Sequence, residues 1–307
     1  MPFFSIVIPT YNLADKISEA IQSVLNQNFT DYEILVIDDG STDSTKDVVN
    51  QFHDERIYYE WNVNSGGPAK PRNIGIEKSN SEWICFLDAD DIWYSDKLQV
   101  CYSAIKSNID FIYHNLKING NNGFLTRTKT RGRLLKNNIL IDLLVNSNAI
   151  ATSSVVVRKK ILQQVGGMNE SVELFATEDY NTWLKIAKIP GNFFYIPMVL
   201  GEYFLGTNNI SNKNMSPFIK SASQEFIGCL NSCQMKRYLS WIDYIRGRYM
   251  YLNNNYFEAK TSLIMAFKEG ATEVKIKSIF MLFHIYLLKI YLYLKRVVSN
   301  YLSPQNL

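Results

Sequence analysis

Short β-branched or aromatic runs alternate with segments of helical period through the first hundred residues, and that alternation leaves few folds open. Residues 3 to 8 (FFSIVI), 32 to 37 (YEILVI), 56 to 61 (RIYYEW) and 82 to 87 (EWICFL) read as strands, each followed by turn-forming residues. Between them, Ile17, Ile21, Val24 and Leu25, then Val48, Val49 and Phe52, recur at helical spacing over stretches long enough for crossover helices. This order predicts an α/β fold whose mostly parallel sheet is covered on both faces. In such sheets ligands bind beyond the carboxyl ends of the strands. The chemistry is therefore sought in four polar stretches: PTYN, DDGSTD, NVNSGG and DADD.

Further along, SSVVVR reads as another strand, followed by a helix and the turn GGMNE, and ATEDYNTWLKIAK opens a further helix. After about residue 215 the pattern stays helical, and there is no convincing internal repeat. A chain of 307 residues suits one domain of catalytic size plus an appendage. Its net charge of +3 is too weak to argue for nucleic acid. Charge is concentrated instead between Phe111 and Ile141, which holds Lys117, Arg127, Lys129, Arg131, Arg133 and Lys136 and no acidic residue. The four cysteines form no CxxC pair, which suggests neither a zinc site nor a disulfide framework and fits a reducing cytoplasm. The opening MPFFSIVIPTYN lacks a basic leader and reads as a strand, so secretion is not expected.

Three aspartates, Asp88, Asp90 and Asp91, crowd the end of the fourth strand. Along a strand, residues two apart point the same way, so Asp88 and Asp90 should project from one face while Asp91 points elsewhere. Two carboxylates on one side repel each other unless a cation lies between them. Mg2+ and Mn2+ favour oxygen ligands, and Mg2+ commonly takes one or two carboxylates together with substrate phosphates. A metal bridging Asp88, Asp90 and a diphosphate is one reading; turn and cap aspartates are the other, and for Asp91 both stay open. DDGSTD is also ordinary turn and cap material. No Walker-type P-loop and no G-x-G-x-x-G after the first strand is present. NSGGPAKPRNIG supplies Arg72, which could reach phosphate oxygens or pair with the strand-end aspartates. In ATEDYNTW, Thr177 is placed to cap a helix whose first turn carries Glu178 and Asp179, residues the helix dipole favours there. A carboxylate in that place could equally act as general base on a hydroxyl.

Taken in order, PTYN, DDGSTD, NSGGPAKPRNIG, DADD and TED resemble the family 2 glycosyltransferases, enzymes of the GT-A fold, over residues 3 to about 205. The resemblance implies a Rossmann-like GT-A domain over 1–210, with a nucleotide-binding half at 1–110 and an acceptor half at 111–210, and then a helical C-terminal region at 211–307. It implies that Pro9, Thr10, Tyr11 and Asp39, with Asp38 in support, hold the uracil of a UDP-sugar, and that Asn64 and Arg72 lie near the nucleotide and diphosphate. Asp88 then faces ribose and metal, and Asp90 is the firmer ligand of Mn2+ or Mg2+. Asp179 matches the catalytic base, with Glu178 a neighbour of unassigned role. The implied reaction is one inverting displacement, in which Asp179 takes the acceptor's proton and no covalent intermediate forms. One departure stands out: many relatives carry a YRxHxxNxS-like segment after the base, whereas YFLGTNNIS puts Phe204 and Gly206 at the arginine and histidine positions. A diphosphate contact from that segment is not carried over.

The basic segment falls where such enzymes recognise acceptors, and it could meet anionic lipid or the diphosphate of a polyprenyl-linked sugar; a solvated basic loop is the plain alternative. The stretch 276–298, IKSIFMLFHIYLLKIYLYLKRVV, is apolar but interrupted by His284 and Lys289, which favours a helix lying at a membrane surface over one that spans it. A helix buried in the fold or in a homodimer is the remaining option. The resulting expectation is a transferase peripheral on the inner face of the cytoplasmic membrane, metal-dependent, moving a hexose or N-acetylhexosamine from a UDP-sugar to a glycan or lipid-linked oligosaccharide of a bacterial surface polysaccharide. The competing expectation is a non-catalytic partner that retains nucleotide-sugar binding within a glycan assembly complex. A nucleotidyltransferase would show a glycine-rich basic loop after the first strand, and PTYNLADK is not one.

Overall fold

Strand β1 (Phe4–Thr10) is buried along its whole length. Phe4, Ile6 and Ile8 enter one core with Ile17, Ala20, Ile21 and Val24 of helix α1 (Ile17–Leu25), while Val7 enters a second core on the opposite side. Alternation with period two along a strand that is apolar on both faces is what places β1 in the middle of the sheet. The computed structural model describes residues 1–120, 128–136, 138–189, 191–206 and 213–301, with side chains as far as residue 295.

Beside β1 run β2 (Tyr32–Asp38), β3 (Ile57–Trp61) and β4 (Trp83–Phe86), all parallel, joined by α1, α2 (Thr45–Asn50) and α3 (Ala69–Lys78). Each strand lies within two residues of its predicted position. Thr10 stands opposite Asp38 and Asp38 opposite Trp61, so the three polar turns leave the sheet at one edge. Pro9, which lacks an N–H, is tolerated in this central strand because β4 pairs no further than Val7 with Phe86. Gly75 sets the distance of α3 from the sheet, since a Cβ there would stand 2.4 Å from Val7 Cγ1.

The second half of the sheet adds β5 (Ile92–Trp93), β6 (Phe111–Asn119), β7 (Val156–Arg158) and β8 (Phe193–Phe204). Among the described residues the sheet has eight strands, in the order β3-β2-β1-β4-β7-β6-β8-β5. Of these, β7 is antiparallel to β4 and β6, β5 is antiparallel to β8, and β6 and β8 run parallel, so six of the eight strands share a direction. Only β7 was predicted. The register between β6 and β8 shifts at Tyr113/Asn115 and again at Asn115/Lys117, and such irregularities erase the alternation by which strands are read. Helices α4 (Lys97–Ala104), α5 (Ile139–Val145), α6 (Lys159–Gln164) and α7 (Glu178–Lys188) complete this part.

Helix α8 (Ser216–Ser223) belongs to the same body: Ala222 lies in the core with Trp183 of α7, and Asn181 Nδ2 donates to Ala222 O at 2.8 Å. The helices with a core of their own are α9 (Ser232–Leu252), α10 (Tyr256–Glu269) and α11 (Thr272–Tyr301), packed on Tyr244, Ala259, Leu263, Ala266, Val274 and Met281. The start of α9 is marked by a capping box in which Asn231 and Gln234 satisfy each other's backbone N–H groups.

The basic segment is not a uniformly solvated loop. Arg133 pairs with the buried Asp142, Arg131 donates to Ser147 Oγ at 3.0 Å and stacks 4.5 Å from the Trp241 ring of α9, and Lys117 pairs with Glu202 at 3.2 Å. These three charges serve the fold. Lys129 and Lys136 are exposed, and Arg127 lies outside the described residues.

Candidate active site

The site is built where β1, β2 and β4 end. After β1, Thr10 is buried and its Oγ1 has no hydrogen-bond partner among the described residues, while Tyr11 is 49% exposed. An unpaired buried hydroxyl is costly, which makes Thr10 a candidate contact for a polar ligand. After β2, the fully buried Asp38 accepts from the Ser41 N–H and from the Tyr59 hydroxyl, both at 2.7 Å, and so shapes the turn. Asp39 Oδ1 accepts from the Ser65 N–H (2.9 Å) and Oγ (2.7 Å). Gly40 sits at φ +87, and a Cβ there would lie 2.7 Å from the Asn64 nitrogen, a conformation and an approach suited to glycine. Asn64 closes the loop, donating to Asp39 O at 2.7 Å and accepting from the Gly66 N–H at 2.9 Å. Its side chain is thus spent on holding this loop.

The aspartate stretch departs from the strand geometry expected of it. β4 stops at Phe86, and Asp88 to Asp91 form a turn in which the Asp91 N–H donates to Asp88 O at 3.0 Å. Strand alternation therefore does not set the directions of Asp88 and Asp90. Asp91 is buried, with Oδ2 accepting from Ser153 Oγ at 2.5 Å and Oδ1 from the Phe204 N–H at 3.1 Å, and burial followed by the charges of Asp88 and Asp90 pushes its pKa well above the usual carboxylate range. It is a strut of the fold, with both oxygens engaged. Asp90 differs: among the described residues no side chain donates to it, and burial together with the Asp88 charge pushes its pKa up to about 6. A half-buried carboxylate next to another, without a paired cation of its own, fits the donor set of Mg2+ or Mn2+. No group of three or more candidate ligands exists among the described residues, so the remaining positions would fall to ligand or water oxygens.

Arg72 joins the aspartate turn to α7. Its Nη2 donates to Asp88 Oδ1 and its Nη1 to Glu178 Oε1, each at 2.6 Å, with Arg72 and Glu178 both buried. Burial opposes the charge on Arg72, but the two carboxylates outweigh it and hold the guanidinium above its ordinary pKa. Of the two roles foreseen for Arg72, the structure shows pairing with the strand-end aspartate; its terminal nitrogens are committed to carboxylates. Glu178, unassigned in the sequence, is the counterion that this buried arginine needs.

Beside Glu178, Asp179 accepts from Thr152 Oγ1 at 2.7 Å and from the Tyr180 N–H at 2.5 Å. Burial first, then the Glu178 charge, raise its pKa to about 7, against the pull of Thr152, Arg72 and the Tyr180 N–H. A carboxylate poised there at neutral pH is suited to proton abstraction. The chain reaches α7 through Ala176 at φ +62, a left-handed conformation costing on the order of 1–2 kcal/mol, stabilised by the Thr177 N–H donating to Leu174 O at 2.8 Å. Thr177 occupies the cap position, but its hydroxyl donates to Leu174 O and Phe218 O, so the expected side-chain cap is not formed. Phe204, at the family's arginine position, ends β8 and anchors Asp91 through its backbone; residues 207–211 of that segment lie outside the described residues. The contributions of Tyr59, Ser65, Thr152 and Ser153 were not foreseen, since single hydroxyls in a strand or an ordinary turn carry no motif.

A parallel first half with a carboxylate turn and an acidic helix start beyond its strand ends fits the GT-A class of glycosyltransferase. The chain belongs to glycosyl transferase family 2, whose description matches residues 5–166. It is 35% identical over 185 residues to the UDP-Glc:alpha-D-GlcNAc-diphosphoundecaprenol beta-1,3-glucosyltransferase WfgD of Escherichia coli, covering 60% of this chain and 69% of that one. Among solved structures, TarS 1-349 of S. aureus in complex with UDP-GlcNAc superposes with a TM-score of 0.60 at 18% identity, covering 89% of this chain and 82% of that one. The mannosyltransferase PcManGT of Pyrobaculum calidifontis in complex with GDP-Man and Mn2+ gives 0.60 at 15% identity, covering 99% and 82%. These two likenesses establish the fold.

Proposed function

We propose that this glycosyltransferase moves a hexose or N-acetylhexosamine from a UDP-sugar, with inversion, to a hydroxyl of a glycan or polyprenyl-diphosphate-linked oligosaccharide during synthesis of a bacterial surface polysaccharide. The observation that carries the reading is the convergence of Asp88, Asp90, Arg72, Glu178 and Asp179, remote in sequence, at one edge of the sheet. The names of the relatives agree with it: WfgD uses UDP-Glc and a diphosphoundecaprenol-linked GlcNAc, and TarS is seen with UDP-GlcNAc.

In this reading Thr10, Tyr11 and Asp39 form the uracil pocket, Pro9 and Asp38 shape it, and Asn64 holds its loop closed. Asp88 and Asp90 would hold Mn2+ or Mg2+, which when bound supplies positive charge against the diphosphate. Arg72 keeps the Asp88 turn and the α7 start in fixed relation. Asp179 removes the proton from the acceptor hydroxyl as that oxygen attacks the anomeric carbon on the face opposite UDP. The C–O bond to the acceptor forms as the bond to UDP breaks, and the proton rests on Asp179.

A panel of UDP-sugars is expected to show slow hydrolysis of one donor with Mn2+ and little after chelation. Binding of UDP-sugar without any turnover, with or without metal, would instead leave a non-catalytic partner.

Helix α11 supports a place at the inner membrane surface. Phe280, Phe283, Tyr286, Leu287 and Leu294 are exposed on it, and the 24 residues Thr272–Lys295 contain an 18-residue window of mean hydropathy 1.4, 11% of it buried, long and apolar enough to cross a membrane. Lys289 and Lys295 among these residues suit an interfacial position on anionic lipid. In flotation with phosphatidylglycerol vesicles the protein should rise with the lipid, and Phe283→Asp/Leu287→Asp should stay at the bottom of the gradient; equal flotation of both would rule the helix out as anchor.

A further inference from the structure

The turn Thr152–Ser154 touches both halves of the site, and nothing in the motifs singles it out. It is a tight 3-10 turn, closed by the Ser154 N–H and Oγ both donating to Ala151 O (2.9 and 2.7 Å) and by the Val155 N–H donating to Thr152 O at 3.0 Å. It leads into β7, whose Val156 pairs with Cys85 of β4, so its position is set by the sheet. Ser153 is buried and holds the aspartate turn: its Oγ donates to Asp91 Oδ2 and accepts from the Asp88 N–H at 3.1 Å, while its carbonyl accepts from Trp93 Nε1 at 2.7 Å. The preceding residue, Thr152, is 7% exposed and gives its hydroxyl proton to Asp179 Oδ2 at 2.7 Å. Its β-branched side chain has few alternative rotamers, so the donor direction is firm.

We propose that Thr152 is the positioning residue of the general base: its hydroxyl locks the rotation of the Asp179 carboxylate, and the rigid turn it shares with Ser153 keeps the base in register with the Asp88–Asp91 turn. This rests on Asp179 being the base. A hydrogen bond to one carboxylate oxygen fixes the plane of the group and the direction of the lone pairs that meet the acceptor hydroxyl, which is where small misplacements are costly. It also favours the ionised form. The charged groups facing Asp179 are Glu178 on its own helix and Arg72 from α3, and neither is altered by changing Thr152.

The test compares the full chain with Thr152→Val, which keeps the shape and loses the hydroxyl, and Thr152→Ser, which keeps the hydroxyl. Hydrolysis of UDP-glucose and UDP-N-acetylglucosamine with Mn2+ is followed as kcat and KM against pH, with UDP binding measured alongside and Asp179→Asn as reference. Thr152→Val is expected to lower kcat on the order of tenfold, the size of one hydrogen bond to a charged group. Its acidic limb should move to higher pH, with donor KM unchanged and Thr152→Ser restoring both. Should the valine form fail to bind UDP, Thr152→Ala takes its place in the comparison. A native pH limb and kcat without the hydroxyl, beside an inactive Asp179→Asn, overturn the positioning role alone. So does a serine form as impaired as the valine one. Full turnover by Asp179→Asn overturns the base assignment itself.

Discussion

Asp179→Asn is expected to bind UDP as the native protein does and to lose transfer by about 10²–10⁴-fold, the usual contribution of a general base. Asparagine has the same shape and its carbonyl can still accept from Thr152 Oγ1, so the donor site and the start of α7 are preserved. In the native enzyme the rate should rise with pH as Asp179 loses its proton, with a midpoint of about 7 that reflects burial and the adjacent Glu178. Stability runs the other way. A carboxyl whose folded pKa is raised binds its proton more tightly folded than unfolded, so its contribution is full below the ordinary carboxylate value and is lost as pH rises through about 7. Asp179→Asn should therefore unfold at an equal or higher temperature than the native protein at pH 8. Full transfer by this variant, or loss of UDP binding with it, would remove Asp179 from the role of base.

The second large effect concerns the fold beneath the site. Arg72→Met leaves Glu178 as a buried charge without its cation and cuts the tie to Asp88, which should cost about 3–5 kcal/mol in urea unfolding. The double variant Arg72→Met/Glu178→Gln should recover much of that loss, because the cost lies in the orphaned charge more than in the missing pair. Arg72→Lys should not rescue, since an ammonium cannot present two separate N–H arms to Asp88 and Glu178. If Arg72→Met and the double variant unfold at the same urea concentration as the native chain, the buried fork is not a structural element.

How far the site could be read in advance differs from residue to residue. The four parallel strands and the polar turns behind them were legible because a strand buried on both faces needs an apolar run and a ligand edge needs turn residues, both local features. β6 and β8 escaped because their mutual register shifts twice and β8 contains a proline, so neither shows a clean alternation. Asp88, Asp90 and Asp179 were picked out as candidates through the order of motifs. Their individual fates were not legible: among the described residues Asp90 is without a side-chain donor, Asp91 three bonds away in the same turn is fully engaged, and the difference lies in Ser153 and Phe204, 62 and 113 residues distant.

The family resemblance rests on the order of five short motifs, and the first four strands and the turns behind them follow from patterns over a few residues at a time, since strand and helical periods and turn chemistry act at that range. Tertiary structure alone decided that Arg72 faces inward between two carboxylates, that half of the basic segment is spent on internal pairs, and that a hydroxyl from an unremarked turn holds Asp179. These are pairings between residues far apart in the chain, made when the sheet brings separate strand ends to one edge. There burial amplifies each charge and obliges it to find a partner.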